Sequence, residues 1–308
     1  APRFAAMSET PPAAAPPPIV RSGDLRIGYA LAAVMITFFA SAPNFARLAF
    51  ADGIDPLTFQ LIRFSVAIAG MLMAARIFDW RVRGLAPYWR SLMALTVITL
   101  IASFGYMTSV RYIQVGLASL IFFCFPILVG VLTHVLGMER VSLRGGLGFL
   151  IAFAGLVLVF GVSFEAADPR GMALALAAGI AVACGFLITR RLSRFVPSPS
   201  VSLTVICSAG IIFITTALIV GDHQGPASST GWIGAAGAGV AYFVGLTALY
   251  ETIARLGPVR SASFSNLEPL LTIAIAFVFL GERLTFLQSL GAVVVVGALL
   301  LANSGRKA

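Results

Sequence analysis

Residues 266–297 read NLEPLLTIAIAFVFLGERLTFLQSLGAVVVVG, and residues 125–155 read FPILVGVLTHVLGMERVSLRGGLGFLIAFAG. Shifted by 143 positions, the two stretches align without a gap. Pro126 falls on Pro269, Glu139 and Arg140 on Glu282 and Arg283, and Gly148 on Gly291. The register extends backwards through Gly28 and Gly171, Arg47 and Arg190, Pro56 and Pro199, and Trp89 and Trp232. Two tryptophans and two mid-segment prolines in one register mark an internal duplication.

Composition decides the solvent. Charged residues are 11% of the 308, hydrophobic ones are 59%, and the mean hydropathy is +0.98. A soluble domain carries roughly 25% charge, so most of this chain is read as lying in lipid. Ten apolar segments follow one another at about 27–46, 56–77, 90–111, 116–137, 143–162, 170–189, 200–220, 231–254, 259–280 and 284–302. Each is near the roughly 20 residues that cross a bilayer. Five fall in each copy. An odd number of crossings per copy turns the second copy upside down, which is the plan of inverted-repeat carriers. The expected units are a Pro/Ala-rich disordered cytoplasmic tail over 1–25, a first five-helix repeat over 26–163 and an inverted second repeat over 169–303.

The net charge of +9 is no nucleic-acid signature here, because the basic residues are scattered in short loops. They report orientation instead. Sixteen of the 21 Arg and Lys fall on one side; Arg47, Arg111, Arg170 and Arg283 fall on the other, and Arg63 lies within a span. The positive-inside rule puts both termini in the cytoplasm of a multi-pass protein of the bacterial inner membrane. The three cysteines, Cys124, Cys184 and Cys207, sit in apolar segments at no metal-ligand spacing and read as packing residues. No metal and no cofactor is expected.

Several residues could carry function. Pro126 and Pro269 each remove a backbone donor in mid-segment and free the carbonyls of Phe122 and Ser265. Such groups in lipid must find partners or line a cavity. Around the breaks the repeats differ. The ninth segment carries Ser261, Ser263, Ser265, Asn266 and Glu268, where the fourth has Ala118, Leu120, Phe122, Phe123 and Phe125. A cavity between a polar wall and an aromatic wall suits an amphipathic solute. Glu268 lies about ten residues into its segment, near the midplane at ~1.5 Å per residue. An acid there fits three roles: proton carrier, partner of a substrate amine, or protonated structural donor. Arg63 has Gln60 one turn before it and Asn44 at similar depth in the first segment. It suits a carboxylate or phosphate, or a structural contact with helix-end carbonyls. Tyr106 and Tyr242 are deep enough to be cavity candidates. Tyr250 and Glu251 near a segment end read as interfacial, and His134 as packed or interfacial. Glu139-Arg140 and Glu282-Arg283 recur on opposite sides, so they read as turn and helix-end stabilisers.

These residues together resemble the EamA family of the drug/metabolite transporter superfamily. The carriers of the resemblance are the Glu-Pro and Gly-Glu-Arg of 266–297, their partners Pro126, Glu139-Arg140 and Gly148, and Pro56 followed by Arg63. The first segment departs from the usual pattern: it reads FFASAPNFAR where many relatives have a Trp-Gly pair. The resemblance implies a ten-helix, two-repeat carrier with cytoplasmic termini. Members mostly move amino acids, nucleosides, sugars or other metabolites, and many export them. The expected function is therefore alternating-access movement of a small amphipathic metabolite. Amino acids are favoured, aromatic ones especially, and export over uptake. Uptake of a nucleoside, base or vitamin-like solute is the alternative, and an integral-membrane enzyme the remote one. Expected partners are the solute and the bilayer, with the chain a monomer or homodimer. A fluorescent protein that matures only in the cytoplasm, fused to the C-terminus, should be bright, and periplasmic alkaline phosphatase fused there inactive.

Overall fold

In the computed structural model, residues 22–80, 85–161, 168–221, 224–281 and 283–303 are described. Most of the expected tail over 1–25, the loop arginines Arg81 and Arg83, and Glu282 lie outside them. The described residues form twelve α-helices and one short 3₁₀ turn over Ala86–Tyr88. They are α1 (Ser22–Ala51), α2 (Pro56–Ile77), α3 (Trp89–Ser109), α4 (Val115–Phe122), α5 (Phe125–Val135) and α6 (Leu143–Phe160). The second half holds α7 (Pro169–Leu192), α8 (Ser198–Val220), α9 (Ser229–Leu256), α10 (Pro258–Ser265), α11 (Glu268–Leu280) and α12 (Phe286–Asn303).

Twelve helices make ten segments because the fourth and ninth are broken at the expected prolines. α4 and α5 together form the apolar stretch Val115–Val135, and α10 and α11 form Pro258–Phe279. Pro126 and Pro269 stand in the first turns of α5 and α11, where a missing N–H costs nothing. Tight bonds bridge each break: Cys124 N–H donates to Ile121 O (3.2 Å), and Leu267 N–H donates to Phe264 O (3.0 Å). Among the described residues, nine stretches are long and apolar enough to cross a membrane, and the apolar Phe286–Leu301 of α12 makes the tenth. The chain is an all-helical integral membrane protein of ten spans in two inverted five-helix repeats. α1 is longer than its sequence segment and runs straight through Pro43, a third break in the amide ladder, which frees the carbonyl of Phe39.

The helices pair as a duplicated bundle should. α1 packs on α9 and its repeat counterpart α7 packs on α3, while α2 meets α8 and α6 meets α12. Where lipid is the solvent, close backbone approach replaces the hydrophobic effect as the force between helices. The α6–α12 seam shows it. A Cβ on Gly155 would stand 3.0 Å from Gly291 O, and one on Gly291 2.6 Å from Gly155 O. Trp89 and Trp232, at the starts of α3 and α9, are 58% and 52% exposed, as membrane-interface anchors are.

Two aspartates tie the α1–α2 loop to the loop before α9. Asp52 accepts from Ser228 N–H (2.8 Å), and Asp55 accepts from Gln224 N–H (2.9 Å). Asp55 also caps α2, accepting from Leu57 N–H (2.8 Å) and Thr58 N–H (3.0 Å). Partial burial pushes its carboxyl up, but hydrogen bonds from Thr58, Gln224 and Leu57 outweigh it and hold it below the usual carboxylate range. A carboxyl lowered on folding stabilises the fold above its unfolded pKa, and that contribution fades as pH falls through the folded one. Asp55→Ala should cost roughly 1 kcal/mol at neutral pH, the usual worth of such a cap. In thermal unfolding of the detergent-purified protein, the gap to wild type should close in strong acid.

Candidate functional site

A cavity of about 210 Å³ lies between α1, α3, α7 and α9, at the breaks in the fourth and ninth segments. Pockets for drug-sized ligands run to roughly 300–1,000 Å³, so this one suits a smaller solute. Each long helix offers one face at helical spacing. α3 gives Leu95, Ile98, Thr99, Ala102 and Ser103; α7 gives Val182, Gly185, Phe186 and Thr189; α9 gives Tyr242, Leu246, Leu249, Tyr250 and Ile253. Phe39 of α1, at the carbonyl freed by Pro43, completes the ring of helices. The breaks supply Phe122 and Phe125 from one repeat, and Ser265 and Glu268 from the other.

The position of this cavity follows from the duplication. Five pairs of lining residues are related by the 143-residue shift: Phe39 and Val182, Thr99 and Tyr242, Ser103 and Leu246, Phe122 and Ser265, and Phe125 and Glu268. The cavity therefore straddles the pseudo-two-fold axis between the repeats. No pair keeps the same residue, so one wall is aromatic and the facing one carries the acid.

The aromatic wall is a packed set. Ring centroids are 5.6 Å apart for Phe122 and Phe125, and 5.6 Å for Phe125 and Phe186, spacings at which aromatic pairs attract. The carbonyl of Phe122, freed by Pro126, meets α7 at Gly179, where a Cβ would come within 2.9 Å of it. Of the polar groups, Thr99 donates to Leu95 O (2.8 Å). Ser265 donates back to Ser261 O (3.3 Å). Thr189 is 1% exposed and its hydroxyl has no hydrogen-bond partner among the described residues. The Glu268 carboxylate, at the first position of α11, has no hydrogen-bond or ion-pair partner among the described residues.

Five of the candidates from sequence thus share the cavity: Phe122, Phe125, Tyr242, Ser265 and Glu268. The others lie around it. Phe123 is 8% exposed and packs on Phe160 at 6.0 Å. Asn266 is buried beside the lining. Tyr106 bonds to Ser119 (2.8 Å), with its ring 5.1 Å from that of Phe122. Asn44 donates to Ala40 O (3.1 Å) and Thr272 O (3.2 Å), tying α1 to α11, and its Oδ1 is unpartnered. Gln60 links Met107 Sδ (3.3 Å) to Arg63, whose Nη1 donates to Gln60 Oε1 (3.1 Å). The Arg63 guanidinium lies over the Tyr242 ring at 4.3 Å, and its Nε is unpartnered. Tyr242 thus belongs to both groups, one set around Glu268 and one around Arg63.

Tyr250 corrects its sequence reading. It is 4% exposed and lines the cavity rather than the interface. Glu251 beside it pairs with Arg255 (3.1 Å). Phe39, Thr99, Ser103, Phe186 and Thr189 were not among the candidates. For Tyr250 a signal existed: it stands eight positions, about two turns, after Tyr242 and shares its face. At the opposite end from the α1–α2 loop, the Glu139 carboxylate lies against Gly257 at the start of α10, and Arg190 Nη1 donates to Ala254 O (2.6 Å). These contacts support helix ends, in keeping with the turn role read for Glu139.

The EamA-like transporter family model matches residues 26–161 and again residues 169–304. An uncharacterized transporter, YvbV of Bacillus subtilis (strain 168), is 26% identical over 268 residues, covering 82% of this chain and 84% of that protein. A solved crystal structure superposes with a TM-score of 0.77 at 18% identity, over 92% of this chain and 98% of the other, which is a likeness of fold. With the family model matched over both repeats of the duplicated bundle, the chain belongs to the EamA-like transporter family.

Proposed function

We propose that this transporter moves a small amphipathic metabolite by alternating access around the axial cavity, in the direction of export across the bacterial inner membrane. The observation that carries the reading is the unpartnered Glu268 carboxylate facing aromatic walls. A charge in such a place is costly unless something pairs with it. An amine or a proton does so, and competition between the two at one carboxylate couples solute movement to proton movement. Solutes that join an amine to an aromatic ring, the aromatic amino acids and their amine relatives, are the favoured class, with the ammonium at Glu268 and the ring against Phe122 and Phe125. One chain holds both halves of the pathway, whether it works alone or as a homodimer. With the termini in the cytoplasm, the contacts of α5 with α10 and of Glu139 with Gly257 lie on the cytoplasmic side. These are the contacts that rocking of one repeat against the other must part.

Purified protein in proteoliposomes should show saturable uptake of an amine-bearing aromatic solute, driven by an opposing pH gradient. Glu268→Gln should lose gradient-driven flux at least tenfold and keep its melting temperature. Gradient-driven flux that survives Glu268→Gln removes the proton-coupling role. On the aromatic wall, Phe122→Leu should reorder the preference among aromatic and aliphatic solutes. Phe123→Leu, buried outside the cavity, should leave that order unchanged and cost at most about 1.5 kcal/mol of stability.

A further inference from the structure

We infer that the cavity selects arylalkyl amines, monocations that lack a carboxylate, over the amino acids that bear the same ring. The inference rests on the placement of the amine at Glu268 proposed above and adds the charge that the rest of the solute can carry.

Among the described residues, the lining holds one carboxylate and no Arg, Lys or His. Their remaining polar groups are the hydroxyls of Thr99, Ser103, Thr189, Tyr242, Tyr250 and Ser265. A zwitterion bound here would settle its ammonium on Glu268 and leave its own carboxylate among hydroxyls and aromatic faces. Hydroxyls donate hydrogen bonds to a carboxylate but do not neutralise it, and a buried charge without a counter-ion is strongly disfavoured. Arg63 is the candidate counter-ion, but it is held outside the lining. Its guanidinium lies over the Tyr242 ring at 4.3 Å and its Nη1 is bonded to Gln60. The Tyr242 side chain lines the cavity and carries the Arg63 guanidinium against its ring.

An arylalkyl amine meets no such conflict. Its ammonium pairs with Glu268, its ring stacks within the Phe122, Phe125 and Phe186 set, and its cation also lies within reach of aromatic faces. The unpartnered Thr189 hydroxyl, 1% exposed, gives a neutral polar substituent on the solute one hydrogen bond. Sites with such an asymmetry discriminate through the group left unpaired in the wrong ligand.

The test uses three probes of one shape on the full-length protein: phenethylamine, phenylalaninamide and phenylalanine. Binding is read as thermal stabilisation of the detergent-purified protein, which rises with ligand concentration over Kd. Transport is read as flux above that of protein-free liposomes. The expected result is that phenethylamine and phenylalaninamide bind at least tenfold more tightly than phenylalanine and compete with each other. Glu268→Gln should abolish that binding, with Glu268→Asp as the variant to use if the glutamine protein does not fold. Phenylalanine bound as tightly as phenylalaninamide, with binding lost in Arg63→Gln, overturns the inference and leaves the amino-acid carrier standing. Binding of none of the three overturns both the inference and the placement of an amine at Glu268.

Discussion

In the middle of a bilayer an amide that loses its hydrogen-bond partner has no water to replace it. The arrangement of this molecule follows from that constraint. Three spans break the ladder at Pro43, Pro126 and Pro269, and the two breaks in the fourth and ninth segments are buried within the bundle. Tight turns take up part of the deficit in the fourth and ninth segments. The Phe122 carbonyl meets Gly179 of α7. What remains lines the cavity, which collects Phe39, Phe122, Phe125, Ser265 and Glu268 from these three neighbourhoods. The cavity is thus where the bundle puts backbone that cannot be satisfied along a regular helix.

Duplication then sets where the breaks meet. Because the second repeat is inverted, equivalent positions converge only on the axis that relates the repeats, and five equivalent pairs line the cavity there. The scaffold around it keeps the symmetry, as in the paired packing of α1 on α9 and α3 on α7 and the glycine seam of α6 with α12. The chemistry does not. Phe125 faces the cavity in one repeat and Glu268 in the other, Thr99 in one and Tyr242 in the other. Geometry and recognition are separable here, with the pairing of helices kept between the repeats and the cavity-lining residues different.

This separation explains what could be read from the sequence. The ten spans, their duplication and the breaks at Pro126 and Pro269 were legible, because length, hydropathy and a fixed offset are properties of the chain alone. Glu268, Phe122, Phe125, Tyr242 and Ser265 were legible as well, since they stand at or near a break or at midplane depth. Thr99, Ser103, Phe186 and Thr189 were not. In water, the polar face of a helix reveals its buried face by contrast. In lipid both faces are apolar, so a segment's depth can be read but its rotation about its own axis cannot. Arg63 shows the same limit: its depth was plain from sequence, but not that it would lie over the Tyr242 ring and outside the lining.

The lone carboxylate on the axis has a consequence for how such a protein can arise. A half-length ancestor, five helices inserting in both orientations and pairing with a copy of itself, would present every axial residue twice. Such a pair can offer two acids at the position of Glu268 and Phe125, or none, but never one. A site of single negative valence, matched to a singly charged solute, becomes available only once the halves are fused into one chain and can mutate apart. The Phe125–Glu268 pair records that loss of parity.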